Sequence, residues 1–177
     1  MDDSCLCNTA PLNIVYTFLD VQPRCFYLHG KIIQQHGFHR LSINDTSSDG
    51  NQPFIHIKED TKFITKYICV CNGEIYNCKN ILKNLIPEYE QKSSSDCEVL
   101  IPLWLKYGYN MINHLDGVFA FAILTITKSK DTLEENIDCF IGRDRLGVRP
   151  LYKGIDKNNN ILFSSELKGI SELCVCA

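Results

Sequence analysis

Ten residues from Val118 to Thr127 (Val-Phe-Ala-Phe-Ala-Ile-Leu-Thr-Ile-Thr) are almost all apolar or β-branched. Such a run suits a strand covered on both faces, so the chain must supply a layer on each side of it. A second run, Tyr67 to Cys71, is equally strand-like and leads into Asn72-Gly73-Glu74. Asn-Gly favours a sharp turn with positive φ, so the strand is expected to stop there. It would leave an amide side chain, a backbone N–H that no Cβ shields, and a carboxylate. An exposed N–H beside an Asn amide can stabilise an oxyanion, and the neighbouring Glu can hold an ammonium. For the dipeptide alone, a hairpin turn with a charged flank is the plainer reading.

Other stretches fill in the layers. Leu12 to Leu19, Arg24 to His29 and Gly37 to Ile43 read as strands, with Pro23 separating the first two. Asn44 to Pro53 is a loop, and Phe54 to Ile57 pairs with Phe63 to Cys71 as a hairpin. Lys79 to Tyr89 carries Ile81, Leu82, Leu85 and Ile86 at helical spacing until Pro87 ends it. Ser95-Asp96-Cys97-Glu98 fits a capping box, with Ser95 as N-cap and Glu98 reaching back. Leu100, Leu103, Trp104 and Tyr107 continue that helix to Gly108. Asp96 then lies in a first helical turn, where a carboxylate is favoured whether or not it has another role. Ile137 to Gly142, Leu151 to Ile155 and Ile161 to Ser165 are further strands, and Glu166 to Glu172 a short closing helix. Strands interspersed with two or three helices imply sheets covered by helices rather than an all-β sandwich.

At 177 residues the chain is most simply one domain with a proper core. A net charge of −3 gives no electrostatic reason to expect nucleic acid or an anionic membrane as partner. No apolar run approaches the ~20 residues a transmembrane helix needs. The acidic start Met-Asp-Asp-Ser lacks the basic region of a signal peptide, so a cytoplasmic location is expected. The ten cysteines then read as reduced thiols. Cys5/Cys7, Cys69/Cys71 and Cys174/Cys176 are spaced Cys-x-Cys, shorter than the usual zinc spacing, so buried thiols are favoured over metal ligands. No metal site is assigned.

Seven stretches together carry a resemblance to a known family. They are Phe38 to Ile43, Asn72 to Asn77, Ser95 to Glu98, Leu115 to Phe121, Gly142 to Asp144, Gly147 to Leu151 and Ser165 to Lys168. In this order they resemble the glutaminase domain of glutamine-hydrolysing asparagine synthetase, a class II glutamine amidotransferase, from about Gly37 to about Gly169. The resemblance implies an α+β fold, an αββα four-layer sandwich of two antiparallel sheets between helices, of Ntn-hydrolase type. It divides the chain into a diverged or truncated segment, 1–36, and the glutaminase domain, 37–177, with no synthetase domain. L-glutamine is the implied partner, and the family releases ammonia from it for aspartate amidation. Arg40 matches the arginine that holds the α-carboxylate, with Leu41, Ser42, Ile43 and Asn44 beside it. Glu74 and Asp96 match the acids that hold the α-ammonium, and Asn72 and Gly73 match the oxyanion hole. No cofactor is implied, because ATP and magnesium belong to the synthetase half, which a separate domain or subunit would have to supply. Arg143 to Pro150 reads as an ion pair buttressing a turn at Gly147, structural rather than catalytic.

One part of the family pattern is missing from the sequence. The family nucleophile is a cysteine exposed as residue one, with its own α-amine as base. Here position 2 is Asp, and no Cys-Gly-Ile occurs anywhere. A truncated or mis-started chain, a diverged glutamine-binding or regulatory module, and cleavage after Ser4 to free Cys5 are the three explanations. As written, the sequence is expected to have negligible glutaminase activity. A thiol-rich metal-binding protein is the remaining alternative.

Overall fold

The computed structural model describes residues 14–17, 26–29, 32–33, 48–132, 134–157 and 161–176. In chain order its strands are β1 (Ile14–Thr17), β2 (Phe26–His29), β3 (Ile32–Ile33), β4 (Phe54–Glu59) and β5 (Phe63–Ile75). They continue with β6 (Gly117–Ser129), β7 (Glu135–Arg143), β8 (Tyr152–Asp156), β9 (Ile161–Ser164) and β10 (Cys174–Cys176). One sheet has the order β4-β5-β6-β7 and is antiparallel throughout. The other has the order β10-β8-β9-β1-β2-β3. Its strands are antiparallel except for β1 and β9, which run parallel, with Val15 opposite Leu162. The two sheets are antiparallel as expected, with this one pair as the exception. Strands so far apart in sequence need no hairpin between them, so nothing local fixes their direction.

The four-stranded sheet is apolar on both faces, as the Val118 to Thr127 run requires. Pleating sends alternate side chains to opposite sides. Cys69, Cys71, Phe119, Phe121 and Ile123 take one side, under a helical layer that supplies Ile81, Ile86, Leu100, Ile101, Leu103 and Met111. Ala122 and Leu124 take the other, with Ile68, Val70, Ile141 and, from the second sheet, Phe163. The large side chains that are fully buried each contribute about 1.5–3 kcal/mol, so the helix-facing cluster dominates the core. On the larger sheet, Leu162 packs under Ile170 and Leu173, beside the 3-10 turn Leu167–Gly169. Among the described residues the arrangement is therefore α+β, two sheets with few helices.

Local chemistry explains the helices. α1 (Cys78–Asn80) passes into a π-helical turn, Ile81–Leu85, closed by the Ile86 N–H donating to the Ile81 carbonyl. Pro87, which cannot extend a helix, follows at once. A 3-10 turn, Asp96–Val99, leads into α2 (Leu100–Tyr107), and Gly108 ends it at φ 54°. Pro102 is tolerated because it lies in the first turn of α2, where an N–H has no intrahelical partner. Trp104 stacks on Phe140 of β7 at 4.9 Å between ring centroids, which pins α2 to the sheet.

Two local expectations are corrected. Asn72 and Gly73 do not turn: β5 runs through them to Ile75, each residue paired across to β6, and the turn falls at Tyr76 and Asn77. The glycine serves a close approach of strands instead. Ser95 is in extended conformation ahead of the 3-10 turn, but its side chain makes no capping bond. Glu98 reaches past it to the Lys92 and Ser93 amides, at 2.8 and 2.7 Å, and to the Tyr89 hydroxyl, at 2.6 Å. Burial works against the Glu98 charge, yet these donors outweigh it and hold the carboxyl below its usual range. The predicted strand 37–43, Arg40 to Asn44, Cys5 and Cys7 lie outside the described residues.

Candidate functional site

The site forms where β5 outruns its neighbour. β4 pairs with β5 only from Ile64 to Cys69, whereas β6 follows β5 to its end. Odd-numbered residues of β5 direct their N–H and C=O groups towards β4, and among the described residues no strand meets them beyond Cys69. Side chains take over one by one. The Gln52 amide accepts the Cys71 N–H at 2.6 Å and donates to the Cys71 carbonyl at 2.9 Å. The Cys97 thiol donates to the Gly73 carbonyl at 3.6 Å. Asp96 Oδ2 accepts the Ile75 N–H at 2.5 Å.

That leaves the Gly73 N–H. Its cross-strand partner is Phe119, whose N–H and C=O are both engaged by Asp144, on the far side of β6. Gly73 and Phe119 are thus a non-hydrogen-bonded pair, and among the described residues nothing accepts the Gly73 amide. Gly73 has φ 155°, and a Cβ there would sit 2.2 Å from the Val118 carbonyl oxygen and 2.5 Å from the Phe119 Cα. Gly117, opposite Ile75, has the same constraint, with 2.1 Å to the Glu74 carbonyl oxygen. The last rungs of this ladder are backbone against backbone.

Pleating places Asn72 and Glu74 on one face, that of Val70, which looks towards the second sheet. Both are half-buried. Asp96 approaches the same strand end from the helical layer. The structure therefore brings Asn72, Gly73, Glu74 and Asp96 to the same end of β5. Asp144 backs it: burial opposes its charge, but the amides of Arg149, Val148, Phe119 and Gly147 outweigh that and hold its carboxyl below the usual range. The expected Arg–Asp ion pair is corrected, since among the described residues Asp144 grips backbone amides and no arginine. Gly147 has φ 67° and lies under the Arg143 guanidinium, whose Cζ would be 2.9 Å from a Cβ. Arg149 Nη2 stands 3.8 Å from Glu74 Oε1. Gln52 has no signature in the sequence, whereas Cys97 and Asp144 fall inside the Ser95 to Glu98 and Gly142 to Asp144 stretches without a role of their own assigned there.

Hydrogen bonding with Cys71, then burial, pushes the Cys97 thiol well above its ordinary value, and burial takes Cys78 to about 11. Among the described residues no group of three or more His, Cys, Asp or Glu side chains is placed to hold a metal, and no helix is long and apolar enough to cross a membrane.

Residues 25–177 match the glutamine amidotransferase domain family. The chain belongs to that family. The match reaches back upstream of Gly37, where the recognisable motifs start. Similar proteins include a probable glutamine-hydrolysing asparagine synthetase of Acanthamoeba polyphaga mimivirus, 38% identical over 136 residues, which are 76% of this chain and 22% of that protein. The asparagine synthetase of Asparagus officinalis is 35% identical over 147 residues, 82% of this chain and 22% of its own. Asparagine synthetase 2 of Arabidopsis thaliana is 36% identical over 135 residues, 76% and 21%. The resemblance to the glutaminase domain of these synthetases is borne out, and the amidotransferase chain spans about a fifth of the length of such relatives.

Proposed function

We propose that this domain binds L-glutamine at the end of β5, in the manner of a class II amidotransferase. The observation that carries the reading is the Gly73 N–H, which nothing accepts among the described residues, with Asn72, Glu74 and Asp96 at the same strand end. The N–H and the Asn72 side chain meet the carboxamide oxygen, where negative charge develops on attack. Glu74 and Asp96 hold the α-ammonium, and Arg40, with Leu41 to Asn44, holds the α-carboxylate through a planar guanidinium fork. The similar proteins are asparagine synthetases by name, so ammonia released here would be handed to a synthetase domain or subunit for aspartate amidation. Glutaminase chemistry in this domain asks for no cofactor. An Ntn-type four-layer sandwich and a cytoplasmic setting belong to the same reading.

Thermal unfolding with and without L-glutamine tests it. At a hundred times the Kd, a specific ligand adds about 2.7 kcal/mol of stability. L-glutamine should raise Tm, D-glutamine should not, and the rise should vanish in Asp96→Ala and Arg40→Ala. An unchanged shift in both variants would remove the assigned pocket. A non-catalytic glutamine-binding module is the second reading, since Asn72, Gly73, Glu74 and Asp96 would serve binding with or without hydrolysis. Ammonia release by the protein as sequenced supports hydrolysis, and glutamine binding without ammonia supports the module.

A further inference from the structure

We propose that Arg149 is a positioning residue for glutamine: it fixes the Glu74 carboxylate that receives the α-ammonium. This rests on the glutamine-binding reading above and assigns a task to the loop after β7, which that reading leaves unused.

Four observations carry it. Arg149 Nη2 lies 3.8 Å from Glu74 Oε1, close enough for an ion pair but too long for a good hydrogen bond. Arg149 Nε is buried and has no hydrogen-bond partner among the described residues. Nε and Nη2 form one edge of the guanidinium, the edge that grips a carboxylate with two parallel N–H bonds. A small movement of Glu74 would close both contacts and satisfy the orphaned Nε–H, so the pair is a fork left slightly open. The base of the arginine is also held. Its amide donates to Asp144 Oδ2 at 3.0 Å, the Val148 amide donates to Asp144 Oδ1 at 2.9 Å, and Asp144 itself is buried.

The contacts close a ring. Gly73 faces Phe119, Phe119 is clasped by Asp144, Asp144 holds Arg149, and Arg149 returns to Glu74, the neighbour of Gly73. The ammonium-binding acid and the oxyanion amide are thereby referred to a single buried carboxylate. A half-exposed Glu on a strand end would otherwise sample several rotamers, and ordering it would oppose binding. When the α-ammonium draws on one side of Glu74, the guanidinium fork on the other holds the carboxylate at a fixed distance. Arg149 acts only through Glu74 and touches no part of the ligand.

The test is a double-mutant cycle on the full chain, with Kd measured by calorimetry. The probes are L-glutamine and glutaramate, the same amide acid without the α-ammonium. Arg149→Ala should raise the Kd for L-glutamine between about twofold and tenfold, the ordering penalty of one long side chain. It should leave glutaramate unchanged and add nothing in a Glu74→Gln background. Arg149→Lys, a charge without the planar fork, should restore part of the loss. Equal weakening of both ligands, a loss that persists beside Glu74→Gln, or an unchanged Kd would overturn the assignment. If Arg149→Ala does not fold, Arg149→Met read against Glu74→Gln carries the same comparison. Failure of the wild-type protein to bind L-glutamine would remove the glutamine-binding reading and this inference with it. Binding that is indifferent to Arg149 would remove the inference alone.

Discussion

Gly73→Ala is the sharpest perturbation available, because one methyl group meets two independent obstacles. The added Cβ would stand 2.2 Å from a backbone oxygen and 2.5 Å from a backbone Cα of β6. Neither can swing aside as a side chain could, so β5 and β6 must part at their last rungs. Overpacking of this kind costs about 1–3 kcal/mol. The φ of 155° is also a region that L side chains rarely occupy, which adds about 1–3 kcal/mol more. The sum, about 2–6 kcal/mol, is a large part of the 5–15 kcal/mol that typically holds a domain together. For a chain of this size each kcal/mol moves Tm by about 2–4 °C, so the midpoint should fall by about 4 to 24 °C. Gly108→Ala is the matched control. It has φ 54° but nothing within 4 Å of its Cβ, so only the backbone strain of about 1–3 kcal/mol applies and the fall should be about 2–12 °C. Differential scanning calorimetry of the two variants decides the matter. A Gly73→Ala protein melting within about 2 °C of wild type would refute the close-approach account.

Two further outcomes follow from the side-chain chemistry. The Glu98 carboxyl is held below its ordinary 4.5, so its contribution is present above that pH and is lost as pH falls through the depressed folded value. Glu98→Gln should lower stability at pH 7 by about 1.5–3 kcal/mol and flatten the acid side of the stability curve; a denaturant midpoint series from pH 7 to 3 reads both. Cys69, Cys78 and Cys97 are buried thiols with raised pKa values, so iodoacetamide at pH 8 should label them only after unfolding. Peptide mass spectrometry of native protein showing rapid labelling at Cys97 would contradict the packing described.

Much of the architecture was legible because hydrophobic period reports strand and face directly. The Val118 to Thr127 run announces a strand needing two covers, and both are found, helices under Phe121 and a second sheet over Leu124. Pro87 and Gly108 mark helix ends by what their backbones forbid or permit. The parallel meeting of β1 and β9 was not legible, since it joins segments some 145 residues apart. Asn72-Gly73 misled for a physical reason: glycine is chosen equally for a turn and for a place where strands nearly touch, and sequence alone does not separate the two. The capping-box pattern misled likewise, because Glu98 had better donors within reach than the amide the pattern assigns. Convergence of Asn72, Gly73, Glu74 and Asp96 came from resemblance to a family and not from spacing. Gln52 pairs with the backbone of Cys71 and Asp144 with that of Phe119, partners remote in sequence whose pairing leaves no local trace.

Gln52 supplies both a donor and an acceptor to Cys71, so it behaves as a one-residue splint laid where β4 gives out. A real strand in its place would have carried the ladder onwards, and its next carbonyl would have silenced the amide two residues along. By finishing the pairing with a side chain, the fold satisfies Cys71 without a further strand and, among the described residues, leaves the Gly73 N–H beyond it without an acceptor.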